Sequence, residues 1–165
     1  MVTGKKMFEY TIDNTNSKYY YLYNSIKKYG DTIYISGIYN PNDGNRLNDE
    51  SSLGWFRIAI DTNGKEIMKK HIPWTTAGKF LTIKDNGKVE GGYRLKYKAF
   101  FQFRNGTSAF LAEKYKGQVL ASTISRQDLS TSTDMMLVTF NDKFEVTGAI
   151  KIDKATNLAD QSDYL

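Results

Sequence analysis

The sequence predicts an all-β, antiparallel fold, and three observations carry that reading. Aromatic and β-branched residues recur in short runs separated by turn residues. The dipeptide Asn-Gly occurs at 63–64, 86–87 and 105–106, each time between two such runs. The chain of 165 residues holds 12 Tyr and 9 Phe but only 2 Pro, a composition that suits pleated, half-buried surfaces. No segment sustains a long apolar period of 3.6 residues, so helix is expected only as one or two turns over 153–160.

The elements follow in chain order. Residues 7–12 (MFEYTI) read as a spare strand able to join either half of the molecule. Strands are expected over 19–26 (YYYLYNSI) and 32–39 (TIYISGIY), with a turn-length break at 27–31. A second pair, 55–60 (WFRIAI) and 65–72 (KEIMKKHI), flanks Asp61-Thr62-Asn63-Gly64. Short strands at 80–84 (FLTIK) and 88–90 flank the second Asn-Gly. Residues 97–103 (YKAFFQF) and 107–115 (TSAFLAEKY) flank the third. The last pair is 135–140 (MMLVTF) and 144–152 (FEVTGAIKI), around Asn141-Asp142-Lys143. Asn-Gly predicts type I′ turns, because both central residues of that turn need positive φ.

These strands fall into two similar units, 19–74 and 97–152, within one all-β domain over 1–165. Each unit reads strand, tight turn, strand, long polar loop, strand, tight turn, strand; the loops are 40–54 and 116–134. Four antiparallel strands per unit is the pattern of a propeller blade. Two blades do not close a ring, so the pattern predicts a piece of a longer chain, an assembly with another copy through strand edges, or the alternative of one barrel or sandwich of 8–10 strands.

A further pattern sits on the second unit. The run Ala112-Glu113-Lys114-Tyr115, then Asp134 leading into Met135-Met136-Leu137-Val138, then Ile150-Lys151-Ile152, and later Ser162-Asp163-Tyr164, resembles the repeat of propeller-like proteins of unknown function secreted by Bacteroidetes-type bacteria. In the first unit, Ser36-Gly37-Ile38-Tyr39 and the run 54–61 resemble a companion pattern. The resemblance implies a blade-like fold and an extracytoplasmic address. It brings no catalytic residues with it. Lys5 and Lys6 have no apolar stretch behind them, so no signal peptide is expected in this chain.

Composition narrows the chemistry. With Cys absent there are no disulfides or thiolate metal sites, and a single His leaves no His cage. No apolar run is long enough for a membrane helix, and Walker and dinucleotide glycine motifs are absent. His71 lies between two lysines and Pro73-Trp74, with no nucleophile elbow in the sequence, and reads as a surface or edge histidine. The oxygen-rich stretch 40–50 fails EF-hand spacing: with Gly44 as the turn glycine, Tyr39 and Pro41 occupy ligand positions. No metal and no cofactor are expected. The net charge of +5 suggests nucleic acid, with residues 94–98 (RLKYK) as the densest basic cluster. However, 18 acidic residues are interspersed among the 23 basic ones, which favours solubility as their purpose.

What remains are aromatic faces and one odd carboxylate. Tyr19, Tyr21 and Tyr23 share a face that Tyr20 does not. An exposed set of tyrosines is an amphipathic surface for sugars or protein partners. Candidate ligand-binding residues are therefore Tyr20, Tyr34, Tyr39, Trp55, Trp74 and Glu113, the last because it sits in an apolar run. The expected function is a non-catalytic module for protein or glycan binding. A small basic nucleic-acid-binding barrel and a carboxylate hydrolase using Glu113 are the alternatives.

Overall fold

The computed structural model describes residues 4, 6–43, 52–118 and 129–153. Eight strands form two four-stranded antiparallel sheets, each with its strands in chain order. Sheet one contains β1 (Tyr19–Tyr29), β2 (Thr32–Pro41), β3 (Gly54–Asp61) and β4 (Glu66–Pro73). Sheet two contains β5 (Arg94–Gln102), β6 (Ser108–Gln118), β7 (Leu129–Phe140) and β8 (Val146–Ile152). Between the sheets lie a single helical turn, α1 (Trp74–Ala77), and a short 3-10 turn at Glu90–Gly92. The all-β expectation and its two four-stranded meanders are what the chain adopts; the alternative of a closed barrel is not. The turns expected over 153–160 lie, from residue 154 on, outside the described residues, as do residues 44–51 of the oxygen-rich loop.

Two expected elements differ. The spare strand at 7–12 is not a strand: Phe8, Tyr10 and Ile12 lie across sheet one instead, packed on Tyr21, Ile35, Tyr39 and Phe56. This segment is pinned by its polar groups, with Tyr10 Oη donating to Glu66 at 2.6 Å. Asn14 makes two further bonds to the main chain of Tyr21 on the edge strand, satisfying groups that an open edge leaves unpaired. The short strands around Asn86-Gly87 reduce to one isolated bridge, Ile83 to Val89. Too few residues on either side point into a core to extend it.

The Asn-Gly turns also differ from type I′. Gly64, Gly87 and Gly106 have φ of 84°, 78° and 83°, but the asparagine before each of them does not have positive φ. Each turn closes with the glycine N–H donating three residues back, as from Gly64 to Asp61 O at 3.1 Å. This is a type I turn followed by one left-handed residue, the three-residue hairpin with a bulge. The side chain at the turn's start or centre adds bonds: Asp61 Oδ1 accepts from the N–H of Asn63 and of Lys65. The β7–β8 turn has the same bonding, Phe144 N to Asn141 O at 3.0 Å, yet its left-handed residue is Phe144, at φ 56°.

Cross-strand partners share a face, so the registers sort each sheet into two faces. Trp55 on β3 pairs with Ile38 and Ile72, and all three face sheet two. There the indole meets Trp74 edge-on at 4.5 Å, Phe110 at 5.4 Å and Phe140 at 5.7 Å. Such ring pairs add about 0.5–1.5 kcal/mol each beyond the area they bury. Phe140 and Phe144 stack at 4.6 Å on the other side of this seam. Lys70 of sheet one crosses the rim to Lys143 O and Glu145, an exposed contact that contributes little stability.

Phe144 couples a strained backbone to a buried ring. Phe144→Ala should cost roughly 3–5 kcal/mol in chemical denaturation, the usual loss for a buried Phe. Phe144→Gly should be the more stable of the two variants by about 1 kcal/mol, because glycine carries no left-handed penalty. A glycine variant less stable than the alanine variant would contradict the strain.

Candidate functional site

The concave feature with mixed chemistry is a cleft of about 210 Å³ lined by Asn24, Trp74, Arg94, Lys96 and Tyr97, among others. It opens where β1 and β5, the first strands of the two sheets, approach one another. A register shift between Tyr23 and Ser25 on β1 marks the bulge at Asn24, and bulges re-aim side chains in this way. Trp74 begins α1 and is nearly buried; its Nε1 donates to Ser52 O at 2.7 Å, which fixes the indole plane. Gly87 allows the 84–88 turn to close over that indole: a Cβ there would lie 2.8 Å from Trp74 Nε1. Arg94 is also buried, and its Nη1 donates to Asn86 O at 2.8 Å. Lys96 is exposed and Tyr97 half-buried. Among the described residues the lining contains two cations, two aromatic rings and no carboxylate; Lys96 stands opposite Glu113 across β5 and β6.

A second cluster lies on the opposite face of sheet one. His71 stands beside Tyr19, Tyr21 and Tyr39, with ring centroids 5.0, 5.7 and 4.9 Å away. Its Nε2 is 2.9 Å from Tyr21 Oη, and the Lys69 ammonium lies 4.6 Å from the centre of the Tyr21 ring. Burial first, and then the Lys69 charge, hold the His71 pKa below its ordinary 6.5. Burial, with Tyr19 and Tyr21 nearby, pushes the Tyr39 phenol up to about 12. Near neutral pH both groups are therefore uncharged. His71 is neither a plain surface histidine nor part of a nucleophile pair; its contacts are aromatic.

The six residues singled out from the sequence do not converge. Trp74 lines the cleft. Trp55 fills the seam between the sheets and Tyr39 the core beneath the N-terminal segment, so both rings are occupied by packing. Tyr20 and Tyr34 are half-buried; Tyr20 pairs with Asn40 across β1 and β2, and the Tyr34 ring lies 5.2 Å from the Arg57 guanidinium. Glu113 is buried on the outer face of sheet two, with Lys98 Nζ at 2.7 Å. That ion pair gives its carboxylate a structural partner on the adjacent strand. Among the described residues, no three His, Asp or Glu side chains gather as a metal site, and no helix is long and apolar enough to cross a membrane. Sequence reasoning missed Asn24, Arg94, Lys96 and Tyr97. For the last three the signal is present in the cluster 94–98, which reads in sequence as net charge and in the fold lines a cleft.

The depressed His71 pKa fixes the sign of a pH effect. An unfolded chain takes up a proton at the imidazole as pH falls through about 6.5, while the folded chain resists until lower pH. The contribution is fully present above pH 6.5 and is lost as pH falls toward the folded pKa. The urea midpoint should therefore drop between pH 7.5 and 5, and His71→Gln should flatten that drop. An identical pH profile in the variant would show that His71 is not its source.

No curated protein and no solved structure matches the chain. A family model does match, over residues 1–165. The chain belongs to that family, a family of unknown function (DUF6770).

Proposed function

We propose that the protein is a non-catalytic binding module that takes an acidic glycan in the cleft between β1 and β5. The observation carrying this reading is the lining itself: Tyr97 and Trp74 supply aromatic rings, Asn24 a side-chain amide, and Lys96 with Arg94 positive charge. Sugars bury their apolar C–H faces on aromatic rings while their hydroxyls need polar partners at the edge, and the two cations select an anionic member of that class. Two four-stranded sheets with the same strand order and the same hairpin turn at 61–65 and 141–145 support reading them as two copies of one blade-like unit. The test is a glycan array that includes uronate- and sulfate-bearing saccharides, followed by calorimetry. Binding should be confined to acidic glycans and fall at least about tenfold, or 1.4 kcal/mol, in Lys96→Glu. Failure to bind any glycan, or binding that Lys96→Glu leaves unchanged, rejects the cleft.

A second reading concerns protein partners and rests on the outer face of sheet two. Phe101, Ile150 and Ile152 are 43%, 58% and 44% exposed there. Leu111, Leu137 and Met135 share their face. The other three sheet faces are covered, two by each other and one by the N-terminal segment. The occupant is a second copy of this chain. Among the described residues this is the one uncovered sheet face, so the contact joins like faces and is two-fold and isologous. A four-stranded face of this length spans on the order of 400 Å², which places the dimer in the weak class. Sedimentation equilibrium should show a concentration-dependent dimer that Ile150→Glu abolishes. A chain that stays monomeric at millimolar concentration rejects it.

A further inference from the structure

The three Asn-Gly turns close with the same main-chain bond, yet their asparagine side chains are held very differently. Asn105 Oδ1 accepts from Thr107 Oγ1 at 2.6 Å and from Thr107 N at 3.1 Å. Gln102 Nε2 ties the same turn through the carbonyls of Gly106 and Thr107. Asn86 Oδ1 accepts from Lys88 N at 3.2 Å, and the Asn86 carbonyl accepts from the buried Arg94. Gly87 behind it is buried against the Trp74 indole. In the first turn Asp61 Oδ1 holds the main chain, through the N–H groups of Asn63 and Lys65. Asn63 is exposed, and its side-chain amide makes no hydrogen bond among the described residues.

One reaction depends on that difference. The main-chain nitrogen after an asparagine can attack the side-chain amide carbon, and a following glycine favours this because no Cβ hinders the approach. We propose that Asn63 is a deamidation site, the one of the three Asn-Gly pairs that converts in the folded protein. Hydroxide removes the proton from Gly64 N, and the nitrogen attacks Asn63 Cγ. The N–Cγ bond forms, the Cγ–Nδ2 bond breaks, and the amide leaves as ammonia with a proton from water. Water then opens the resulting succinimide at either carbonyl carbon. Opening at Cγ gives aspartate; opening at the main-chain carbon gives isoaspartate, with the chain running through the side chain. The attack requires Gly64 N–H to release Asp61 O, 3.1 Å away, and the Asn63 side chain to rotate. The first requirement is common to the three turns. Asn63 meets the second without breaking a side-chain bond, and Asn86 and Asn105 do not.

The N-terminal segment is seated on this same turn. The Phe8 ring lies against Gly64, where a Cβ would be 2.8 Å from it, and Tyr10 is bonded to Glu66 two residues further on. Isoaspartate at position 63 adds a methylene to the main chain of the turn and a negative charge beside it. The seat of Phe8 is thereby displaced, and the segment is loosened from the face of sheet one that it covers.

Ageing the full chain in mildly alkaline buffer, with tryptic mapping over time, tests the assignment. Each pair lies on its own tryptic peptide, 58–65, 85–88 and 105–114. In urea the three should convert at similar rates, since each is Asn-Gly. In the folded chain Asn63 should convert at least about five times faster than the other two, the factor that a hydrogen bond of about 1 kcal/mol supplies. Thr107→Val removes one of the two bonds to Asn105 Oδ1 and should speed conversion there. Chymotrypsin should cut after Phe8 or Tyr10 faster in the isoaspartate fraction than in Asn63→Asp, which adds the charge without lengthening the chain. Conversion at Asn86 or Asn105 as fast as at Asn63 in the folded chain overturns the site. So does an Asn63 that stays intact there while it converts in urea. An Asn105 rate that Thr107→Val leaves unchanged overturns the cause, and equal cutting of the isoaspartate form and Asn63→Asp overturns the link to the segment.

Discussion

The seam between the two sheets, where Trp55 and Arg57 leave the same face of β3, is the contact on which the rest of the molecule depends. A four-stranded sheet with one apolar face is marginal alone, because that face must be removed from water. Here each sheet removes the other's. Trp55 reaches Phe110 and Phe140 of sheet two and Trp74 of the linking turn, so one indole ties three parts of the chain together. The linker 78–93 then has a fixed course, because Leu81 and Val89 are drawn into the same core. The cleft is a consequence of this join: it forms where the meeting sheets leave β1 and β5 side by side.

The outer faces show how differently one architecture deals with the same physical demand. Sheet one carries Tyr21, Ile35, Phe56 and Ile58 outward, and the N-terminal segment covers them. A fifth strand would have satisfied an edge; a segment lying across the face satisfies apolar area, and the area was the larger liability. Sheet two carries Phe101, Ile150 and Ile152 outward with no such cover among the described residues. The Lys98–Glu113 pair interrupts that face with charge at one end. The described surface is thus asymmetric: a polar, cationic cleft on one side of the seam and an apolar sheet face on the other.

Much of this was legible in sequence and part was not, for reasons that differ by residue. The strands were legible because alternation and β-branched composition are local properties. The turn conformation was legible only in outline. Asn-Gly marks where a left-handed residue is needed, but type I′ and type I-plus-bulge turns both accept it, and the flanking registers choose between them. Phe144 gave no turn signal at all, since a bulky left-handed residue is tolerated only where its ring is held by Phe140 and Arg57. Trp55 and Glu113 were legible as unusual but not as to cause. Whether a tryptophan in a strand binds a ligand or fills a core depends on what faces it across about 10 Å of inter-sheet space.

By itself, the sequence determined the class of fold, the position and order of the eight principal strands and the absence of thiol chemistry, because these follow from residue type and local spacing. The tertiary structure alone decided which faces meet. It put the single histidine among tyrosines 30 or more residues away in sequence, set a lone arginine between two sheets, and turned a scattered basic cluster into one wall of a cleft. Those outcomes arise from contacts between distant segments. Burial, pKa and unmet hydrogen bonds take their values only when such contacts exclude water.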